Sequence, residues 1–99
     1  MTDLTNLTIT FRMLPSGKAV RKDFYVDIKN HVESRFPFLP LGMSRDLKQI
    51  CGPEFWNLLS KSDRVTAGIC VSNMVAANEI SLVHVKQKHE YPKKYCRIE

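Results

Sequence analysis

The strongest constraint on the fold of this chain is a long stretch of helical periodicity that starts near Ser60. Ser60 is followed three residues later by Asp63, and a serine followed at this spacing by an acid is typical of a helix start. Apolar residues then recur at helical spacing, which predicts a helix up to about Asn78. Its wide apolar face should be largely buried, and consists of Ala67, Cys70, Val71, Met74 and Ala77, joined by Val65, Ile69 and Val75.

The segment after this helix predicts a terminal β-hairpin. Residues 80–85 are rich in the branched apolar side chains that favour strands, and residues 95–98 resemble a return strand. We expect Cys96 and Ile98 to lie on one face of that strand, because alternate residues point to the same side. The polar residues 86–94 between the two strands would form the tip of the hairpin.

The N-terminal part of the chain predicts a second hairpin. Apolar and polar residues alternate over residues 7–13, as in a half-buried strand, and Pro15 with Gly17 indicates a turn. Residues 19–28 fit either a strand or a helix, because apolar side chains recur there both every two and every four positions. We favour a strand to Val26 and a helix from Asp27, as its N-cap, to Phe36.

Short helices are expected between these parts. Ser44 can cap a helix that runs through Ile50 or Cys51. Gly52 and Pro53 interrupt it, and Pro53 suits the first position of the next helix. That helix has a strong apolar face, formed by Phe55, Trp56, Leu58 and Leu59.

Length and composition limit the class of protein. Ninety-nine residues, 43% of them hydrophobic, suit a single α+β domain over residues 1–99, with an N-terminal hairpin and helix over residues 1–36. The longest apolar run has about five residues, whereas a membrane span needs about 20. The N-terminus lacks the pattern of a signal peptide, so we expect a cytoplasmic protein. Three cysteines without paired spacing predict buried, reduced thiols: Cys51, Cys70 and Cys96.

Positive charge is concentrated near the C-terminus. The whole chain has a net charge of +5. Residues 84–97 contain five Lys or Arg residues and a single acid, Glu90, so four of the five net charges lie there. Such a basic stripe attracts polyanions, above all nucleic acid. The alternative is that the lysines are simply solvated and protect a sheet edge from aggregation.

The order of the predicted elements over residues 44–98 resembles a winged helix-turn-helix. A helix, a short turn, a longer helix and a hairpin with a basic tip follow one another, and the hairpin would be the wing. In that superfamily the second helix of the turn pair enters the major groove and the wing contacts the DNA backbone. The resemblance implies contacts from the longer helix through Lys61, Arg64, Ser72 and Asn73. From the wing it implies Lys86, Lys88, His89, Tyr91, Lys93, Lys94 and Arg97.

These patterns predict a small basic DNA-binding protein, a transcriptional regulator that contacts phosphates through its C-terminal hairpin. Duplex DNA is the expected partner in preference to RNA, which would require more exposed aromatic side chains. The N-terminal hairpin could serve as the edge of a homodimer. The alternative function is a non-enzymatic protein–protein interaction module, such as an accessory or host-modulating inhibitor. No nucleophile, base and orienting group converge in the sequence, so neither catalysis nor a metal or cofactor is expected.

Overall fold

The computed structural model describes residues 10–15, 17–85 and 93–98. The chain has the predicted α+β class, with two small antiparallel sheets and four α-helices in this part of the sequence. In chain order the elements are β1 (Phe11–Met13), β2 (Ala19–Arg21), α1 (Lys22–Ser34), a 3₁₀ turn (Phe36–Phe38), β3 (Ser44–Asp46), α2 (Leu47–Cys51), α3 (Pro53–Leu58), α4 (Lys61–Ala76), β4 (Leu82–Val85) and β5 (Lys94–Arg97).

The N-terminal hairpin is confirmed, and its turn is closed by backbone hydrogen bonds. Strands β1 and β2 are antiparallel, with Arg12 opposite Val20. The amide of Leu14 donates to the carbonyl of Lys18 at 2.9 Å, and the amide of Gly17 donates to that of Leu14 at 2.8 Å. Gly17 has a φ of +88°, a conformation that glycine adopts without a steric penalty.

Helix α1 begins at Lys22, so the prediction of a strand to Val26 and of an N-cap at Asp27 is wrong. The residues that α1 buries are Tyr25, Ile28 and Val32, spaced three and four apart, whereas Val26 is half exposed. The period-two alternation in this stretch was therefore coincidental, and the helical period decided the structure. The helix ends at Ser34, and the 3₁₀ turn containing Pro37 follows it.

The region around Ser44 also differs from the prediction, because Ser44 caps no helix. Instead it begins strand β3, which pairs with β5 near the C-terminus. The cap of α2 is Asp46, whose carboxylate accepts a hydrogen bond from the Gln49 amide at 2.8 Å. The Gln49 side chain accepts one in return from the amide of Asp46 at 2.9 Å. This reciprocal capping box starts the helix two residues later than expected.

The helix starts at Pro53 and Ser60 agree with the prediction. Pro53 is the first residue of α3, and the hydroxyl of Ser60 accepts a hydrogen bond from the Asp63 amide at 3.1 Å. On α3, Leu58 is 84% exposed and so lies outside the expected apolar face. The other three members of that face, Phe55, Trp56 and Leu59, pack against the core.

The two strands of the predicted terminal hairpin are confirmed, but Cys96 is not buried as expected, and residues 86–92 of the predicted tip lie outside the described residues. The sheet has the strand order β3-β5-β4, and β5 pairs antiparallel with both neighbours. Tyr95 is the buried residue of β5, whereas Cys96 is half-buried and Ile98 is 54% exposed. The aromatic ring supplies more buried area than the smaller side chains, which explains the choice of face.

The core is formed mainly where α1 packs on α4. Ile28 and Val32 of α1 meet the buried face of α4, and the same cluster includes Leu14 of the first hairpin and Tyr95 of β5. In the part of the chain that the structure describes, no helix combines the length and apolar character that crossing a bilayer requires.

Candidate binding face along helix α4

An open groove of about 820 Å³ runs along helix α4 and is here called the α4 groove. The first turn of α2, the α3 residue Trp56, the turn after β1 and the start of β5 form its other sides. Most of its lining is apolar. The lining residues are Leu14, Pro15, Asp46, Leu47, Lys48, Trp56, Arg64, Val65, Gly68, Ile69, Ser72, Asn73, Ala76, Lys93 and Tyr95.

Helical geometry explains how α4 serves both the core and the groove. Ala67, Cys70, Val71 and Met74 are buried on one side of the helix, as predicted. Residues 64, 68, 72 and 76 lie four apart and therefore form a row on another side, which lines the groove. Val65 is 57% exposed and Ala77 is also exposed, so the prediction that these two residues belong to the buried face is wrong.

Three cations and one carboxylate lie on the lining of the groove. The cations are Lys48, Arg64 and Lys93, and the carboxylate is that of Asp46, which already accepts the capping hydrogen bond of α2. Within residues 10–15, 17–85 and 93–98 the ion pairs are Arg12–Glu79 and Arg21–Asp23. None of the three groove cations therefore has a carboxylate partner in the described part of the chain.

Four residues that the sequence singled out as DNA contacts meet in this groove: Arg64, Ser72, Asn73 and Lys93. Each also makes a contact within the protein. Arg64 donates from Nε to the carbonyl of Trp56 at 3.1 Å, and Lys93 donates from Nζ to the hydroxyl of Ser72 at 3.2 Å. Asn73 donates from Nδ2 to the hydroxyl of Tyr25 at 2.8 Å.

The remaining candidate residues lie elsewhere. Lys61 is exposed in the first turn of α4, and Lys94 stands opposite Asp46 and Val85 in the sheet. Arg97 is half-buried and donates from Nη1 to the carbonyls of Phe36 and Leu39, at 2.8 and 3.1 Å. These two hydrogen bonds connect β5 to the 3₁₀ turn and to the residue that follows it. Four candidates lie outside the described residues: Lys86, Lys88, His89 and Tyr91.

A polar network beside the groove was not predicted from the sequence. Glu79 accepts hydrogen bonds from Arg12 Nη2 at 2.6 Å and from the Tyr25 hydroxyl at 2.9 Å. The hydrogen bond from Arg12 is the main reason why the pKa of Glu79 lies below its ordinary value. Burial is the main reason why the pKa of Tyr25 lies above its own. Since these residues lie far apart in sequence, no local pattern links them.

The groove also includes residues that the sequence did not single out for binding. Lys48 belongs to α2 and Leu14 to the first hairpin, and neither carries a local signal of a site. Trp56 is half-buried: it packs against the core and also exposes part of its surface in the groove.

Two of the three cysteines offer little reactivity inside the fold. Cys51 and Cys70 are buried, as predicted, and burial raises the pKa of Cys51 to about 12 and that of Cys70 to about 11. Cys96 is half-buried. A thiol reacts as its thiolate, so the first two are poor nucleophiles in the folded protein.

Comparison of the chain with protein-family models, with curated proteins and with solved structures gives no match.

Proposed function

We propose that this protein is a small basic DNA-binding protein of the winged helix-turn-helix kind. The order of the elements supports the proposal: α1, β3, the short helices α2 and α3, the long helix α4 and the hairpin of β4 and β5. In this interpretation α4 is the recognition helix, and the hairpin, with its basic tip, is the wing.

One observation carries the proposal. Cations from three separate elements lie around the exposed side of α4: Lys48 of α2, Arg64 of α4 and Lys93 just before β5. They have no carboxylate partner among the described residues. Phosphate oxygens of a nucleic-acid backbone would supply the missing negative charge.

We expect contacts with phosphates to contribute more to the affinity for DNA than hydrogen bonds with bases. On α4, Ser72 and Asn73 already take part in hydrogen bonds within the protein. The groove side of the helix otherwise presents small and apolar residues such as Gly68 and Ile69. Since bidentate recognition of bases needs free donors such as arginine or glutamine, we propose that α4 contributes little sequence specificity.

Fluorescence anisotropy on a labelled mixed-sequence DNA duplex tests this function, at salt concentrations from about 50 to 300 mM. We expect affinity to fall steeply with salt. In a variant with Lys93→Glu and Lys94→Glu, affinity should fall and the log–log salt slope should decrease by up to about 1.8, because each phosphate contact contributes about 0.9.

The matched control carries Lys18→Glu and Lys22→Glu, which changes the net charge equally at two exposed lysines outside the groove. Its salt slope should stay close to that of the wild type. Absence of binding by the folded wild-type protein at the lowest salt would overturn the proposal. Equal loss of affinity in both variants would show attraction by net charge alone and would also contradict it.

A further inference from the structure

We propose that the α4 groove binds the apolar face of an acidic amphipathic helix from a partner protein. This inference does not require the DNA-binding function. It rests on the combination of an apolar floor, a shape suited to a helix, and a rim of cations that have no carboxylate partner among the described residues.

The floor of the groove consists of apolar side chains that the fold leaves in contact with water. Val65 is 57% exposed, and Ile69 and Trp56 are half-buried. The cavity of about 820 Å³ joins these surfaces into one continuous depression. Contiguous apolar surface bounded by polar residues is typical of interaction sites.

The dimensions of the groove suit a helix. The α4 residues that line it extend from Arg64 to Ala76, which is about 18 Å at the usual rise per residue. A partner helix of about three turns would cover this length. A row of small residues runs along α4 and consists of Gly68, Ser72 and Ala76. A Cβ atom built on Gly68 would meet no atom within 4 Å. Small residues of this kind allow two helix axes to approach closely.

The rim determines the charge of the partner. Lys48, Arg64 and Lys93 come from three separate parts of the chain and all line the groove, whereas the carboxylate of Asp46 is occupied by the cap of α2. Carboxylates of a partner helix would therefore meet positive charge there. DNA phosphates would contact only the cations of the rim, whereas an amphipathic helix would also cover Val65 and Ile69 on the apolar floor.

Trp56 makes the test direct, because it is the only tryptophan of the chain and lines the groove. The probe is a capped peptide of about 14 residues with leucines at positions i, i+3, i+4 and i+7 and with glutamate and alanine elsewhere. We expect a saturable shift of the Trp56 emission to shorter wavelength. A second peptide of identical composition, with its leucines scattered around the helix, should give no such shift.

Two pairs of variants locate the binding. Gly68→Leu places a side chain in the groove at a position where an added Cβ meets no atom within 4 Å. We expect affinity for the peptide to fall at least about tenfold. Its control is Ser62→Leu, an added leucine at an exposed position of α4 outside the groove, and it should bind normally. Lys48→Glu should weaken binding several-fold, whereas Lys22→Glu, also in the first turn of a helix, should not.

Three results would overturn the proposal. The first is the absence of any Trp56 shift with the amphipathic peptide. The second is equal binding of the two peptides, since this would mean that charge alone is recognised. The third is unchanged peptide affinity in both Gly68→Leu and Lys48→Glu. A duplex DNA titration in the same assay completes the test: if DNA alone shifts the Trp56 emission, and Gly68→Leu abolishes that shift, the groove is a DNA contact instead.

Discussion

Asn73 of helix α4 donates a hydrogen bond to the hydroxyl of Tyr25 on helix α1, with 2.8 Å between Nδ2 and the oxygen. That hydroxyl donates in turn to Glu79 at 2.9 Å, and Glu79 is paired with Arg12 of the first hairpin. The guanidinium carbon of Arg12 also lies 4.2 Å from the centroid of the Tyr25 ring. Tyr25 is therefore the link between the N-terminal hairpin, α1 and the end of α4.

This link predicts that Tyr25→Phe destabilises the protein although the ring and its packing are kept. The substitution removes one acceptor for Asn73 and one donor to Glu79, so we expect a loss of about 1–3 kcal/mol in the free energy of unfolding. Urea unfolding followed by Trp56 fluorescence measures it. Asn73→Ala should cost less in the Tyr25→Phe background than in the wild type, because the two residues share one hydrogen bond. Additive effects would contradict the coupling.

The Arg12–Glu79 pair predicts a loss of stability in acid. Hydrogen bonding, first from Arg12 and also from Tyr25, lowers the pKa of Glu79 in the folded state. A carboxyl with a lowered folded pKa stabilises the fold fully above its unfolded pKa of about 4.3. This contribution is lost as the pH falls through the folded pKa. We therefore expect the free energy of unfolding to decrease as the pH is lowered below about 4.3.

Glu79→Gln is the comparison for that pH series. The difference in stability between the wild type and this variant should be largest near neutral pH and should shrink in acid. The pKa of Asp23 is also lowered, through its hydrogen bond from Arg21, but that pair is exposed. Moderate salt, about 0.3 M, screens exposed charges and so isolates the Glu79 effect. A difference that stays constant with pH would refute this role of Glu79.

The parts of the fold that were predicted correctly carry local signals. The helix starts at Pro53 and Ser60 depend on residues within one turn, and the buried face of α4 follows from its own periodicity. The start of α1 was missed because two periods coincide in residues 19–28. Strand β3 was missed because it exists only through pairing with β5, about fifty residues later in the chain, with Ser44 opposite Cys96. A serine before apolar residues at helical spacing, here Leu47, Ile50 and Cys51, gives no sign of that partner.

The sequence also predicted only part of the candidate site: it identified some of the residues but not their long-range contacts. Helical spacing identified Arg64, Ser72 and Asn73 as outward residues of α4, and the groove contains all three. Spacing could not show that Asn73 would bind Tyr25, 48 positions away, or that Arg97 would donate to the carbonyl of Phe36, 61 positions away. Such contacts depend on how the elements pack together. Basic residues that look free in a sequence can therefore have a structural role.

Burial predicts unequal reactivity of the three thiols. Because the pKa of Cys51 is raised to about 12 and that of Cys70 to about 11, both are almost entirely protonated at pH 8, and both are shielded from reagents. We expect Cys96 to react with a thiol-specific reagent in the folded protein, and all three to react in denaturant. Mass spectrometry of the labelled peptides identifies the sites. Rapid labelling of Cys51 or Cys70 without denaturant would contradict their burial.

Two glycines should respond to alanine in opposite directions. Gly68 lies within α4, and an added Cβ would meet nothing within 4 Å, so Gly68→Ala should raise the free energy of unfolding by about 0.5–1 kcal/mol through helix propensity. Gly52, between α2 and α3, has a φ of +88°, and its Cβ would lie 3.6 Å from Arg35 Nη2. Gly52→Ala should therefore cost about 1–3 kcal/mol. Urea midpoints with unchanged m-values measure both effects. Destabilisation by Gly68→Ala would mean that the groove side of α4 is more tightly packed than the open space beside Gly68 implies.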